Sequence, residues 1–433
     1  METINYNKPV PVKYESDIFV AGGGPAGISA AVTAARSGKK VFLSEAAGCL
    51  GGMGTAGMIP AFMQFTDGIN FLAGGIGKEI HDKNIELGKI GNGIKAEVLK
   101  EIYEDMMVSA GVEFTYFTQL IDMICDGEYA NTAILASKSG IYAIKAKIFI
   151  DGTGDGDLAV MAGAEYKKGD KDGLMMPGTL CSIWAGIDWS KAGGNQAREF
   201  ERAFADNVFT DKDRHLPGMW KIGDTIGGGN IGHAFGVDGT DEISLTKAFL
   251  QQRKKLREYE IYYKNYLNGF EKMELASTGA LMGIRESRRI TGDYELNVDD
   301  FKTRAVFSDE IGRYSYPVDI HASSPNEKDY KNFLDEFENL RYKNGESYGI
   351  PYRILTPKGL CNVLVAGRCV CSDRYIQGSV RVMPGCYITG QAAGAAASLA
   401  VEHNTHTRGF DIKLLQKKLL DIGGYLPNFT LVK

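Results

Sequence analysis

The first clear pattern along the chain is a short apolar run, Asp17-Ile18-Phe19-Val20-Ala21, that stops abruptly at Gly22-Gly23-Gly24-Pro25-Ala26-Gly27. A strand feeding a tight turn has this form. From Pro25 to Ser37 the chain is Ala-rich, with Pro25 suited to the first helical position and Gly38 to the C-terminal cap, which predicts a helix. Lys40-Val41-Phe42-Leu43-Ser44 then predicts a second strand that ends at Glu45. These three elements make a βαβ opening of the doubly wound kind.

Glycine is dense from Gly48 to Gly93, where loops and short helices packed against a ligand are expected. Helical spacing returns from Ile94 to Ala110. Phe114 to Ile150 alternates in short runs around a turn at Asp126-Gly127-Glu128, as a small antiparallel ribbon does, and ends in a strand over Ala146 to Ile150. Beyond Glu165 the pattern changes to aromatic-rich loops, with one long helix predicted from Asp241 to Phe270. A buried strand resumes at Asn362 to Gly367, followed by an Ala-rich helix from Tyr387 to His403. The predicted fold is therefore α/β: a discontinuous Rossmann-like domain over residues 1–164 and 349–433, and a mixed α+β substrate or cap domain over 165–348.

Composition narrows the function. Of 433 residues 44% are hydrophobic, more than one core usually holds, which agrees with two units. The net charge is −5 with both signs interleaved, so no footprint for nucleic acid is present. No apolar run reaches the length of a membrane span, and Met1 to Glu15 lacks the layout of a secretory signal, which makes the cytoplasm the expected compartment. Seven scattered cysteines make neither a disulfide framework nor a cluster site, and the six His residues show no ligand spacing, so no metal is expected.

The motif Gly22-x-Gly24-x-x-Gly27 follows a strand, opens a helix, and is followed 18 residues later by Glu45 at a strand end. Each part has a use: a tight turn, close approach of backbone to pyrophosphate, close packing of helix on strand, and an acidic acceptor for ribose hydroxyls. A second match, Gly227-x-Gly229-x-x-Gly232, follows the poor strand Trp220 to Thr225, and is expected to be a flexible loop.

Four segments choose the dinucleotide. Val20 to Glu45, Leu50-Gly51-Gly52-Met53-Gly54-Thr55, Ile150-Asp151-Gly152-Thr153-Gly154-Asp155-Gly156-Asp157, and Leu364 to Ala400 resemble FAD-dependent oxidoreductases with a glutathione-reductase-type flavin domain, in the branch akin to fumarate reductase flavoproteins. The resemblance implies FAD as cofactor. It assigns cofactor contacts to Gly22, Gly24, Pro25, Ala26, Gly27, Glu45, Gly51, Gly52, Met53, Thr55, Gly154, Asp155, Gly367, Arg368, Gly385 and Cys386. Where that branch has His-Gly-x-x-Arg on a substrate carboxylate, this chain keeps Arg381 but has Gln377 in place of His, so Arg381 is the expected anchor for an anionic or carbonyl group.

His321 is a candidate general base after the strand-like stretch Pro317 to Ile320, set against a plain hydrogen-bonded His. Arg285, Arg288 and Arg289 form a basic stretch with alternating faces if it is a strand, so at most some point toward a pocket, and the ordinary role is a solvated or salt-bridged face. The expected activity is hydride exchange between a small organic substrate and the flavin, with dehydrogenation favoured. The alternatives are an ene-reductase of the fumarate reductase kind and a non-catalytic electron-transfer subunit. An electron donor or acceptor is required but not identified, and homo-oligomerisation is left open.

Overall fold

Strand β1 (Val12–Ala21) is the spine of the molecule, with Ile18, Phe19 and Val20 wholly buried. This computed structural model describes residues 2–5, 7–215 and 218–429. The main sheet also holds β2 (Val41–Ser44), β3 (Glu113–Thr115), β4 (Gln119–Asp126), β5 (Tyr129–Ser137) and β6 (Gly140–Asp151), in the order β3-β2-β1-β6-β5-β4. β1, β2, β3 and β6 pair in parallel, the strand Val363–Val365 joins β6 in parallel, and β4 and β5 complete an antiparallel ribbon. Ala21 is level with Ser44 on one side and Asp151 on the other, and Asp151 is level with Val365. All four strands thus end on one line, where doubly wound sheets bind ligands.

The helix Pro25–Arg36 follows β1, with Gly38 beyond its end at φ +77°. It packs against the helix Met383–Glu402. Their contact is backbone to backbone. A Cβ on Gly390 would lie 2.2 Å from the Ala26 carbonyl oxygen, and one on Gly394 would lie 2.2 Å from that of Ala30. Only glycine permits this approach, and it brings a helix from the far end of the sequence beside the first.

A second hydrophobic cluster is built from Leu180 through Met282, around Trp184, Tyr259, Tyr262 and Tyr263. Its frame is the 25-residue helix Glu242–Tyr266, capped by Asp241, and a four-stranded antiparallel sheet. Residues from Ile290 through Tyr348, which the sequence placed in the second unit, pack instead into the first cluster. Their aromatic content does not distinguish the two cores. Among the described residues no helix is long and apolar enough to cross a membrane.

Two local expectations are corrected. Gly227–Asn230 is no flexible loop but a strand inside the four-stranded sheet, paired with Ser182–Ala185 and Gly218–Lys221. Its glycines are there for space: a Cβ on Gly228 would fall 2.3 Å from Pro60, and one on Gly229 3.0 Å from Trp184. The stretch before His321 is irregular, because the strand Glu310–Tyr314 ends earlier.

The glycine contact gives a direct test. Gly394→Ala should lower the stability of the chain by about 1–3 kcal/mol through overpacking, although Ala gains roughly 1 kcal/mol over Gly in helix propensity. The midpoint of urea denaturation reads this, and an unchanged or raised midpoint would show that the helices do not meet at this position.

Candidate active site

A single cavity of about 600 Å³ runs from the strand ends of the first unit to the inner face of the second. Its near wall is the Gly-rich turn. Gly22 has φ +89°, and a Cβ there would strike the Gly152 carbonyl oxygen at 2.8 Å; at Gly27 it would strike the Gly22 carbonyl oxygen at 1.9 Å. A Cβ on Gly24 meets nothing nearer than 3.8 Å and would project into the cavity. Gly22 and Gly27 are thus glycines for packing, and Gly24 is glycine to leave the ligand room.

Two helix N-termini reach this cavity. Pro25–Arg36 and Met383–Glu402 each start with no side-chain cap and no acidic residue in the first turn. Pro25, Ala26, Met383 and Cys386 lie on the cavity wall. Uncapped N-termini offer free N–H groups and a partial positive charge, which suits a pyrophosphate and a ring that gains negative charge.

Glu45 lies at the end of β2, where its carboxylate accepts the Gly23 N–H at 2.6 Å and the Ala47 N–H at 2.7 Å. Burial raises its pKa, and these N–H groups work against that rise. It both fixes the glycine turn and faces the cavity. Asp151, fully buried, does the same for the next loop: it accepts from the N–H and hydroxyl of Thr153 and from the Ala159 N–H. Arg368 ties the two units, donating to the carbonyls of Gly154 and Ile284 and to Asp155 at 2.6 Å.

The expected cofactor residues divide by position. Gly22, Gly24, Pro25, Ala26, Glu45, Gly52, Met53, Gly154, Asp155, Gly367, Arg368 and Cys386 lie on the cavity wall. Gly27, Gly51, Thr55 and Gly385 stand behind it. Thr55 donates to the Leu50 carbonyl at 2.5 Å, which closes the turn from Gly51, and a Cβ on Gly385 would meet the Val380 carbonyl oxygen at 2.4 Å. Cys386 is buried, which pushes its thiol up to about 12, so it is no reactive thiolate. All seven cysteines are free.

The far end of the cavity is cationic. Arg285 is buried, donating to the Pro177 carbonyl at 2.7 Å and the Thr179 hydroxyl at 2.9 Å. Burial, then the nearby Arg381, pull its pKa down to about 10, which still leaves it charged at neutral pH. Arg381 donates to the Asp319 carbonyl at 3.1 Å and its carboxylate at 3.3 Å, while its Nε is buried without a partner. Arg288 and Arg289 do not join them: they pair with Asp157 and Glu286. Gln377 is buried, donates to the Arg368 carbonyl at 3.3 Å, and is absent from the cavity wall.

His321 lies on the same wall, and the fold gives it company that the sequence did not reveal. His215 stacks on its ring at 4.3 Å between centroids, and His233 Nε2 lies 2.9 Å from His321 Nδ1. Burial holds the His215 and His321 rings well below the usual imidazole range, so both are neutral. Only tertiary structure joins positions 215, 233 and 321, and no spacing along the chain signals it.

The Gly-rich turn, the acidic strand end and the paired helix N-termini together fit FAD. A family model for FAD dependent oxidoreductases matches residues 17–419, and the chain belongs to that family: it is an FAD-dependent enzyme. Solved structures similar to it include a geranylgeranyl bacteriochlorophyll reductase-like protein from Thermoplasma acidophilum, 13% identical, with TM-score 0.48 over 94% of this chain and 83% of that one. Two others are a flavin-dependent brominase, 11% identical with TM-score 0.49 over 94% and 83% of the two chains, and p-nitrophenol 4-monooxygenase from Pseudomonas putida, 12% identical with TM-score 0.47 over 94% and 85%. No curated protein sequence matches the chain.

Two outcomes follow from this geometry. Glu45→Gln should weaken FAD binding by roughly 1.5–3 kcal/mol, because a charge-assisted acceptor is lost; FAD retained unchanged through extensive dialysis would contradict this. Burial raises the pKa of Asp151 from 3.8 to about 6. The folded state therefore holds this proton more tightly than the unfolded one, and stability falls as pH rises through that window, by on the order of 3 kcal/mol. Asp151→Asn should flatten the dependence of the denaturation midpoint on pH between 4 and 6, and an equal slope in both proteins would contradict the assignment.

Proposed function

We propose that the enzyme is a dehydrogenase for a small organic molecule bearing a hydroxyl or amine at the reacting carbon and an anionic or carbonyl group beside it. The observation that carries this reading is the continuity of the cavity, with a dinucleotide cradle at one end and Arg285, Arg381 and neutral His321 at the other. FAD, when bound, supplies a two-electron acceptor for a hydride. The chain supplies position and charge. Buried guanidinium groups close to one another call for an anion, and both Arg285 and Arg381 line the cavity. The imidazole cluster, with His321 on the cavity wall, handles the proton that leaves the substrate oxygen or nitrogen.

Ene-reduction of the fumarate reductase kind has less support, since Gln377 is bonded to the Arg368 carbonyl and sits off the cavity wall. A subunit that only relays electrons has no use for the buried cationic end of the cavity at Arg285 and Arg381.

Arg381→Met should leave FAD bound while substrate-dependent flavin reduction slows tenfold or more, equivalent to roughly 1.4 kcal/mol or above. Stopped-flow bleaching of the flavin band reads the rate. Normal turnover in the variant would remove Arg381 as the anchor.

A further inference from the structure

Asp213 and His233 stand behind the cavity wall, both buried, and form a chain that ends on His321. Asp213 accepts the backbone N–H of His215 at 3.0 Å and that of His233 at 3.3 Å, and its Oδ2 lies 3.0 Å from His233 Nδ1. Burial alone would raise its pKa, but the His233 side chain and the His215 N–H outweigh this and hold the group down to about 2. Asp213 is therefore a carboxylate at neutral pH. A carboxylate only accepts, so it keeps the His233 ring proton on Nδ1 and leaves a lone pair on Nε2. His233 Nε2 lies 2.9 Å from His321 Nδ1, and one hydrogen bond donated by His321 Nδ1–H satisfies that contact. The remaining nitrogen of His321, Nε2, then carries a lone pair. It lies on the side of Asp319, 3.3 Å from Oδ1, and both residues line the cavity. His215 holds the plane of the His321 ring by stacking on it at 4.3 Å, with 8° between the planes.

We propose that Asp213, acting through His233, is a positioning residue that holds His321 as its Nδ1–H tautomer and so makes Nε2 the proton-accepting atom of the cavity. The opposite arrangement would place His321 Nε2–H on Asp319, but it would set a His233 lone pair against the Asp213 carboxylate. That contact is the shorter of the two, 3.0 Å against 3.3 Å. Asp319 also shares its charge with Arg381, which donates to its carboxylate at 3.3 Å, whereas Asp213 is held by backbone N–H groups. A lone pair facing a carboxylate therefore costs less at Asp319 than at Asp213. This inference rests on the dehydrogenase reading and names the atom that takes the proton. As hydride leaves the substrate carbon for FAD, the O–H or N–H bond breaks. Its electron pair becomes the second bond of a carbonyl or imine, and the proton passes to His321 Nε2. The new N–H then donates to Asp319, so a contact that is unfavourable before the transfer is favourable after it.

The test uses the FAD-loaded protein with nitrogen-labelled histidine, in two-bond proton–nitrogen correlation spectra at neutral pH without substrate. His233→Gln and His321→Gln assign the two rings. In the parent, both rings should carry their proton on Nδ1 and show a bare Nε2. Asp213→Asn should turn both rings over to Nε2–H, because the amide can donate to His233 Nδ1 and Asp319 then accepts from His321. His233 stands between Asp213 and His321, so a residue that only supports the fold would not move the His321 proton. Asp319→Asn should leave both protons on Nδ1. Nε2–H on His321 in the parent, a doubly protonated His233, or an unchanged His321 tautomer in Asp213→Asn would overturn the assignment. If Asp213→Asn fails to fold, the parent and Asp319→Asn spectra decide. The spectra are read without substrate, so their failure leaves the dehydrogenase reading standing, and a lack of dehydrogenase turnover leaves the tautomer result standing.

Discussion

The first helix of the Rossmann unit, Pro25–Arg36, touches the long helix Met383–Glu402 through glycine, and the active site depends on that contact. With Gly390 and Gly394 set against the carbonyls of Ala26 and Ala30, the helix Met383–Glu402 lies along Pro25–Arg36 with no side chain between them. Both helices begin at the same edge of the sheet, the line marked by Ala21, Ser44, Asp151 and Val365. Two positive N-terminal ends therefore converge on one cavity. A larger residue at either glycine would part the helices and with them the two halves of the cofactor cradle. The discontinuity of the domain in sequence is a consequence: its first and last segments fold as one layer.

The second unit adds charge where the first adds shape. Burying Arg285 and leaving an unpartnered nitrogen on Arg381 both cost stability. Such costs gather at functional sites, and here they lie opposite the cradle, across the same cavity. Arg368 is the mechanical link, since one guanidinium holds Gly154 and Asp155 of the first unit and Ile284 beside the second. That bridge holds the Gly154–Asp155 loop against Ile284.

What the sequence made legible was local. Gly22, Gly24 and Gly27 could be read because strand, turn and helix are contiguous, and each glycine answers to a contact within a few residues or to the ligand. The strand Val363–Val365 and the Ala-rich helix were visible for the same reason, although that helix starts four residues earlier than its composition indicated, at Met383. The glycines at 227–229 misled because a strand that is short of side chains looks like a loop until its neighbours Pro60 and Trp184 are in place. Residues such as Thr55 and Gly51 carry the family pattern yet act from behind the wall, a distinction that only burial makes. The imidazole cluster had no linear signal: His215, His233 and His321 sit on three separate segments, and none has a ligand spacing.

The proposed function requires one cavity that holds cofactor and substrate end to end. A crystal structure of the enzyme with FAD and a small carboxylate tests this most directly. The dinucleotide should lie along Glu45, Gly24 and Asp155 with its ring at the start of the Met383–Glu402 helix, and the carboxylate should sit between Arg285 and Arg381. A carboxylate bound outside the cavity, or a flavin ring separated from those arginines by protein, would contradict it.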